Sequence, residues 1–361
     1  MAARLRTALL FGGRSPEHDV SIMSAAHVHR ALDPARHEVV PIRIERETGV
    51  WRLCNPGAGD FPVIAASLGG VVSLAPGSGG RLLDADGREV THLDVAVPVL
   101  HGPNGEDGTI QGLLDLAGLP YVGSGVTGSA VAMDKDVAKR LMRDAGLPVV
   151  PFLTVTPRRP VTYAEAVAAL GTPNLFVKPA RMGSSVGVGP AGDAETFARA
   201  VAAASAYGER VLVERSIVRA REIECAVLET AEGELRASVL GEIAPAPEHG
   251  FYSYDAKYVD ADGAGLLIPA ELPAATAGRI RDLALACFDA LCCEGLARVD
   301  FFVDPAAPDA IYLNEVNTLP GFTAISMYPK LWAADGLPGP ALIDALVGHA
   351  LARHRRRPEL V

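Results

Sequence analysis

Two apolar runs near the C-terminal end of the chain, residues 299–303 and 311–316, flank a stretch containing Asp304, Pro305, Pro308 and Asp309. Apolar, β-branched and aromatic residues punctuated by Pro and Asp predict a β-hairpin with a longish loop. Side chains alternate faces along a strand. Asp300 on the first strand, and Glu315 with Asn317 on the second, therefore point to one side, with Arg298 on the same face as Asp300. These acids sit inside apolar strands rather than in the turn, and Thr318-Leu-Pro-Gly321 follows at once.

Upstream, strand and helix patterns alternate. Residues 6–11 predict a strand, 12–21 a loop, 22–32 a helix capped by Ser21, and 38–44 the next strand. Residues 93–100 predict a further strand, 109–117 a helix and 121–125 a short return, a βαβ rhythm that implies a parallel sheet carrying helices. Residues 60–80, rich in Gly, Ala and Ser, give no assignable pattern. An amphipathic helix is expected over 129–145, and 146–151 cross into a new unit. There, 175–179 predict a strand, 180–189 a glycine-rich loop, 196–205 a helix and 211–217 a strand. Residues 222–228 and 236–243 pair as antiparallel strands, and 245–265 form an irregular, aromatic-rich loop expected to act as a cover. Helices over 275–293 and 339–354 complete the pattern.

A chain of 361 residues is long for one core, and 49% hydrophobic residues with a mean hydropathy of +0.21 support several. No apolar run approaches the roughly 20 residues that a membrane helix needs. The first residues lead into a strand-like run without a signal-peptide core, so a cytoplasmic protein is expected. A net charge of −10 argues against broad nucleic-acid binding. Five cysteines without Cys-x-x-Cys spacing read as buried thiols rather than a zinc site. The basic residues 353–357 read as a solvated helix end, where cations suit the dipole.

Two carboxylates and an amide, all hard oxygen donors, give the hairpin the character of a Mg²⁺ site that takes its remaining ligands from water and substrate phosphates. Lys178 closes a strand immediately before Gly183-Ser184-Ser185-Val186-Gly187. A loop with free backbone N–H groups beside a lysine suits polyphosphate, although the spacing of the common P-loop is absent. Lys135 is a second cation candidate. Glu214 reads equally as an acceptor for an exocyclic amine and as a strand-edge charge. The Gly12-Gly13 turn lacks the Gly-x-Gly-x-x-Gly spacing of a nicotinamide site.

Over nearly its whole length the chain resembles the D-alanine–D-alanine ligases of the ATP-grasp superfamily. The resemblance rests on residues 12–21 (GGRSPEHDVS), 101–108 (HGPNGEDG), 123–125 (GSG), 133–135 (MDK) and 178–187 (KPARMGSSVG). It continues through 221–227 (REIECAV), 254–258 (YDAKY), 297–300 (ARVD) and 314–323 (NEVNTLPGFT). It implies an α/β fold: an N-terminal parallel-sheet domain over 1–125, a central ATP-grasp subdomain with a lid loop over 126–218, and a C-terminal ATP-grasp domain over 219–361. It further implies ATP-dependent joining of two D-alanines through an acyl phosphate, for peptidoglycan synthesis. Sister ligases that use D-lactate or D-serine, and a non-catalytic nucleotide binder on the same scaffold, are the alternatives.

Under the resemblance, Lys135 and Lys178 hold nucleotide phosphates, Lys257 the γ-phosphate, Ser185 contributes from the loop, Glu214 binds adenine and Glu222 ribose. Asp300, Glu315 and Asn317 hold two Mg²⁺, for which Mn²⁺ can substitute. Glu17 receives the first D-alanine's ammonium, with His101 nearby, and forms a network with Ser184 and Tyr258. Arg298 and the N–H of Gly321 stabilise the oxyanion, while Ser326 and the N–H of Met327 take the second substrate's carboxylate. A homodimer is implied as well.

Overall fold

Strand β1 (Leu5–Gly12) is an inner strand of the first sheet, and Ala8, Leu9, Leu10 and Phe11 have no exposed surface. A strand covered on both faces reads as a continuous apolar run, as a parallel sheet demands. The computed structural model describes residues 3–245 and 264–356. Helix α1 (His18–Ala31) leads to β2 (His37–Ile44), β3 (Trp51–Cys54), α2 (Phe61–Ala66), β4 (Leu68–Leu74), β5 (Arg81–Asp84), β6 (Glu89–His92), β7 (Val95–Val99) and α3 (Thr109–Ala117). The seven strands lie in the order β6-β5-β4-β3-β2-β1-β7, with β1 parallel to both β2 and β7.

The expected parallel sheet is thus one end of it, β2-β1-β7. Strands β3 to β6 extend it antiparallel, and β4 lies in the 60–80 stretch whose pattern was unassignable. Much of β4 and β6 is exposed, so no alternating apolar signal marks them. Helix α1 also begins earlier than expected. Ser21 is inside it rather than at its cap; its hydroxyl accepts from the N–H of Gly12 at 2.8 Å and donates to the carbonyl of Val99.

The expected helix over 129–145 is two helices, α4 (Val126–Met133) and α5 (Lys135–Asp144), broken at Asp134, which caps α5 by accepting from Val137 N at 3.2 Å. Then come β8 (Phe152–Val155), α6 (Tyr163–Leu170), β9 (Leu175–Pro179), β10 (Gly189–Ala191), α7 (Ala194–Ser205) and β11 (Val211–Arg215), whose strands form an antiparallel sheet in the order β10-β9-β11-β8.

The third sheet follows, in the order β14-β13-β12-β15-β16, built from β12 (Arg221–Glu229), β13 (Leu235–Pro245), β14 (Ala264–Leu267), β15 (Leu296–Asp304) and β16 (Ala307–Asn317). The opening hairpin is β15 with β16, joined more tightly than the loop expected from its prolines. Helix α8 (Ala274–Ala290) packs on this sheet, while α9 (Met327–Ala334) and α10 (Gly339–Arg356) carry the chain back against α1 and β7. One apolar core accordingly combines Leu9, Phe11 and Val28 with Tyr328, Trp332 and Leu346.

The basic end of α10 departs from expectation at Arg353. It is 7% exposed, donates to the carbonyls of Gly123 at 2.5 Å and Tyr121 at 2.9 Å, and stacks 4.5 Å from the Tyr121 ring. A guanidinium with this many partners is accommodated inside because its donors are satisfied. Among the described residues, no helix is long and apolar enough to cross a membrane.

Candidate active site

Two cavities adjoin at the 183–184 loop and at the strands β12 and β16. The larger, about 1130 Å³, is lined by Lys135, Lys178, Ser185, Glu214, Glu222, Asp300 and Glu315, among others. The smaller, about 110 Å³, is lined by Glu17, His101, Arg298, Asn317, Gly321, Ser326 and Met327, among others. Gly183, Ser184, Glu224 and Glu315 line both, so these residues stand between them. The described residues expected to handle nucleotide, and those expected to handle substrate, thus sort into two adjoining spaces. Lys257 and Tyr258 lie outside the described residues.

Glu17 is the N-cap of α1 and is 8% exposed. The hydroxyl of Ser184 donates to its carboxylate, and Gly102 approaches so closely that a Cβ there would lie 2.7 Å from Glu17 Oε2. With φ +72, Gly102 also adopts backbone space that other residues rarely occupy. Ser184 and Ser185 are themselves left-handed, at φ 49 and φ 58. Two consecutive non-glycine residues there hold strain of about 1–3 kcal/mol each, as loops at functional sites often do. Lys135, the first residue of α5, pins the same loop by donating to the carbonyl of Met182 at 2.8 Å, and its ammonium lies 3.1 Å from Glu315.

His101 sits at the end of β7 and is 5% exposed. Its Nδ1 lies 3.0 Å from the Leu319 carbonyl, which can only accept, so Nδ1 carries the proton. Its Nε2, 3.1 Å from Ser24 Oγ, then accepts from that hydroxyl, and Ser24 Oγ in turn accepts from Phe322 N at 3.2 Å. Burial lowers the pKa of His101 against the opposing pull of Glu17, in keeping with this neutral tautomer. The ring therefore braces residues 319–322, the segment that presents the N–H of Gly321. A Cβ on Gly321 would meet Ser326 Oγ at 2.8 Å, so a larger residue there would have to displace that hydroxyl. That hydroxyl accepts from Thr323 N at 2.9 Å at the start of α9.

On the hairpin, Asp300 is paired with Glu315 and Arg298 with Asn317 across the ladder. Arg298 holds Asp300 through two bonds of 2.7 Å and lies 3.0 Å from Glu224 on the neighbouring strand. Burial pulls the Arg298 pKa down, but Asp300 and Glu224 outweigh it and keep the guanidinium well above its ordinary value. Asn317 Nδ2 donates to Asp300 at 3.0 Å. The carboxylates of Asp300 and Glu315 and the amide of Asn317 thus share one face above the cleft, as strand alternation implies. Hard oxygen donors on a rigid hairpin, beside a cleft with lysines, fit a Mg²⁺ ion that also binds phosphate oxygens.

At the far wall, Glu214 is 2% exposed and lies between two lysines, 3.0 Å from Lys139 and 2.8 Å from Lys178. Burial pushes its carboxyl up, yet the two ammonium groups prevail and hold it below the ordinary range. It is therefore no strand-edge charge.

Three residues with a part in this arrangement, Glu224 and Lys139 buried and Glu106 half-buried, were not singled out from sequence. Glu224 is two positions beyond Glu222 on β12, and strand alternation alone puts both on the cleft face. Lys139 is one helical turn beyond Lys135. Glu106 accepts from Gly102 N at 2.7 Å and Leu319 N at 3.1 Å, and burial, reinforced by Glu17, pushes its carboxyl up to about 8. Its only sequence signal was membership of the 101–108 motif.

A lysine-lined cleft, a carboxylate hairpin and a glycine-serine loop thus surround two adjoining spaces. Comparison with known proteins is specific. The D-ala D-ala ligase N-terminus model matches residues 6–124, and the D-ala D-ala ligase C-terminus model matches 141–348. The chain belongs to the D-alanine–D-alanine ligase family. It is 65% identical to a D-alanine–D-alanine ligase of Methylobacterium sp. (strain 4-46), over 98% of this chain and 93% of that one. The crystal structure of the VanG D-Ala:D-Ser ligase from Enterococcus faecalis is similar with a TM-score of 0.83 and 34% identity, over 96% of this chain and 100% of that one. That of the D-alanine–D-alanine ligase from Bacillus anthracis complexed with ATP is similar with a TM-score of 0.72 and 27% identity, over 97% and 99%.

Proposed function

We propose that the protein joins two D-alanines to D-alanyl-D-alanine, converting ATP to ADP and phosphate, as a step toward peptidoglycan. The observation that supports this most is the adjoining pair of cavities, with Ser184, Glu224 and Glu315 in the wall between them. We further propose that the reaction runs in the cytoplasm and that the enzyme is a homodimer.

In this reading Glu17, oriented by Ser184, receives the ammonium of the first D-alanine. A carboxylate cannot acylate an amine directly, because it would have to expel oxide. Its oxygen instead attacks the γ-phosphorus of ATP, ADP departs, and an acyl phosphate with a good leaving group results. Lys135 and Lys178, with Lys257, hold the phosphates, while Ser185, Glu222 and Glu214 bind the rest of the nucleotide. Asp300, Glu315 and Asn317 would hold two Mg²⁺ or Mn²⁺ ions, which supply charge neutralisation during phosphoryl transfer. The second D-alanine lays its carboxylate on Ser326 and the N–H of Met327 at the start of α9, where the helix dipole favours an anion. Its free amine attacks the acyl carbon. Arg298 and the N–H of Gly321 stabilise the oxyanion, and phosphate leaves as the tetrahedral intermediate collapses. The 183–187 loop keeps water from the acyl phosphate.

The D-Ala:D-Ser ligase among the structural neighbours keeps D-serine open as an alternative acceptor. Phosphate release with D-alanine alone, against D-alanine plus D-serine or D-lactate, tests the reading. Turnover with D-alanine alone supports it; turnover only in a mixture replaces the acceptor.

A further inference from the structure

Among the described residues Lys139 is the one fully buried lysine of the nucleotide-side cluster, and no step above uses it. Its side chain is 0% exposed, and its ammonium lies 3.0 Å from Glu214 Oε1 and 3.5 Å from the Leu313 carbonyl. The other oxygen of Glu214 lies 2.8 Å from Lys178, which also donates to Asn314 Oδ1 at 3.2 Å. One carboxylate therefore serves two lysines of different standing. Lys178 and Glu214 line the large cleft, whereas Lys139 is sealed behind them.

A polyphosphate in the cleft competes with Glu214 for Lys178, since both are anions within reach of one ammonium group. Drawing Lys178 away would leave Glu214 a buried carboxylate without a counter-charge, which low-dielectric surroundings penalise heavily. Lys139 removes that penalty, because it stays with Oε1 whatever Lys178 does. Burial lowers the pKa of Lys139, and Glu214 is the largest influence opposing that fall, so each group keeps the other charged.

We propose that Lys139 is a positioning residue for the nucleotide: as the standing counter-charge of Glu214, it allows Lys178 to transfer from Glu214 to the nucleotide phosphates. The proposal rests on the ATP-dependent reading above. It accounts for two lysines on one carboxylate, which a purely structural ion pair does not require.

The experiment compares the parent with Lys139→Met, Glu214→Gln and the double variant, reading KM for ATP, KM for D-alanine, Mg-ADP affinity by calorimetry and the unfolding midpoint. For Lys139→Met the expected result is a KM for ATP at least tenfold higher and a matching loss of Mg-ADP affinity, with KM for D-alanine changed less than twofold. In a Glu214→Gln background the carboxylate is neutral, so adding Lys139→Met should change Mg-ADP affinity less than twofold. Equal losses for ATP and D-alanine, or an undiminished effect of Lys139→Met in the Glu214→Gln background, overturn the proposal. Should Lys139→Met alone fail to fold, the comparison of the double variant with Glu214→Gln still decides. Absence of ligation by the parent overturns the ligase reading instead, and Mg-ADP affinity then tests Lys139 by itself.

Discussion

The hydroxyl of Ser184 donates a hydrogen bond to the carboxylate of Glu17 across 167 positions of sequence. The bond joins the glycine-serine loop to the N-cap of α1, and so ties the loop to the residue proposed to hold the first substrate. Lys135 reinforces the link from the other side, through the Met182 carbonyl.

Removing that hydroxyl should loosen both partners. Ser184→Ala is expected to lower kcat/KM for D-alanine about 10- to 100-fold, the range that follows from about 1.5–3 kcal/mol for a hydrogen bond to a charged group. In the parent, hydrogen exchange over 183–188 should slow when nucleotide and a phosphinate analogue of the intermediate are added. Exchange that ignores those ligands would remove the loop from the list of covers.

The carboxylates of the β15–β16 hairpin should govern turnover rather than folding. Glu315→Gln keeps shape but removes charge from a proposed metal ligand and from the partner of Lys135. We expect kcat to fall by about two orders of magnitude or more, with the unfolding midpoint little changed, if the residue acts on the phosphoryl group. Near-normal turnover at saturating Mg²⁺ would sink the metal assignment.

Glu106 should make stability depend on pH. Its carboxyl is raised from 4.5 to about 8 in the folded protein, chiefly by burial and then by Glu17. A raised folded pKa means that this group's contribution is fully present below about 4.5 and is lost as pH rises through about 8. Glu106→Gln retains an acceptor but cannot ionise. Relative to that variant, the parent should therefore lose stability between pH 5 and pH 8 (a window of about that span). Parallel stability curves for the two proteins would refute the shift.

Tyr258 is expected to select the acceptor, a reading carried by the resemblance, since it lies outside the described residues. The resemblance implies that relatives making the ester lack this tyrosine. The parent should form amide, and Tyr258→Phe should raise the ester-to-amide ratio when D-alanine and D-lactate compete, most clearly below neutral pH, where the competing amine is protonated. An unchanged ratio across pH 6 to 9, a range spanning roughly the α-amino titration, would exclude Tyr258 as selector.

What could be read directly along the chain was local. Period-two alternation in 298–303 and 311–317 was enough to gather Asp300, Glu315 and Asn317 on one face, because a strand's geometry is set by its own backbone. The apolar run of β1 and the helix after it announced the parallel core in the same way. Local pattern failed where burial is uneven or a polar side chain has a distant partner. Strands β4 and β6 are too exposed to show a period, and Asp134 interrupts one amphipathic pattern only because its carboxylate caps α5.

Ser21 and Arg353 carried ordinary cap and helix-end signals, yet the tertiary fold gave each a buried backbone partner from elsewhere in the chain. The same holds at the site. That Lys178 meets Glu214, that His101 and Glu106 brace the segment around Leu319, and that Ser184 reaches Glu17 are contacts across 36 to 218 positions. Such contacts depend on sheet order and on how the three sheets pack. Residue types along a chain specify which side chains a strand or helix can present; only the assembled fold decides which of them share a desolvated space, and with it their charge state.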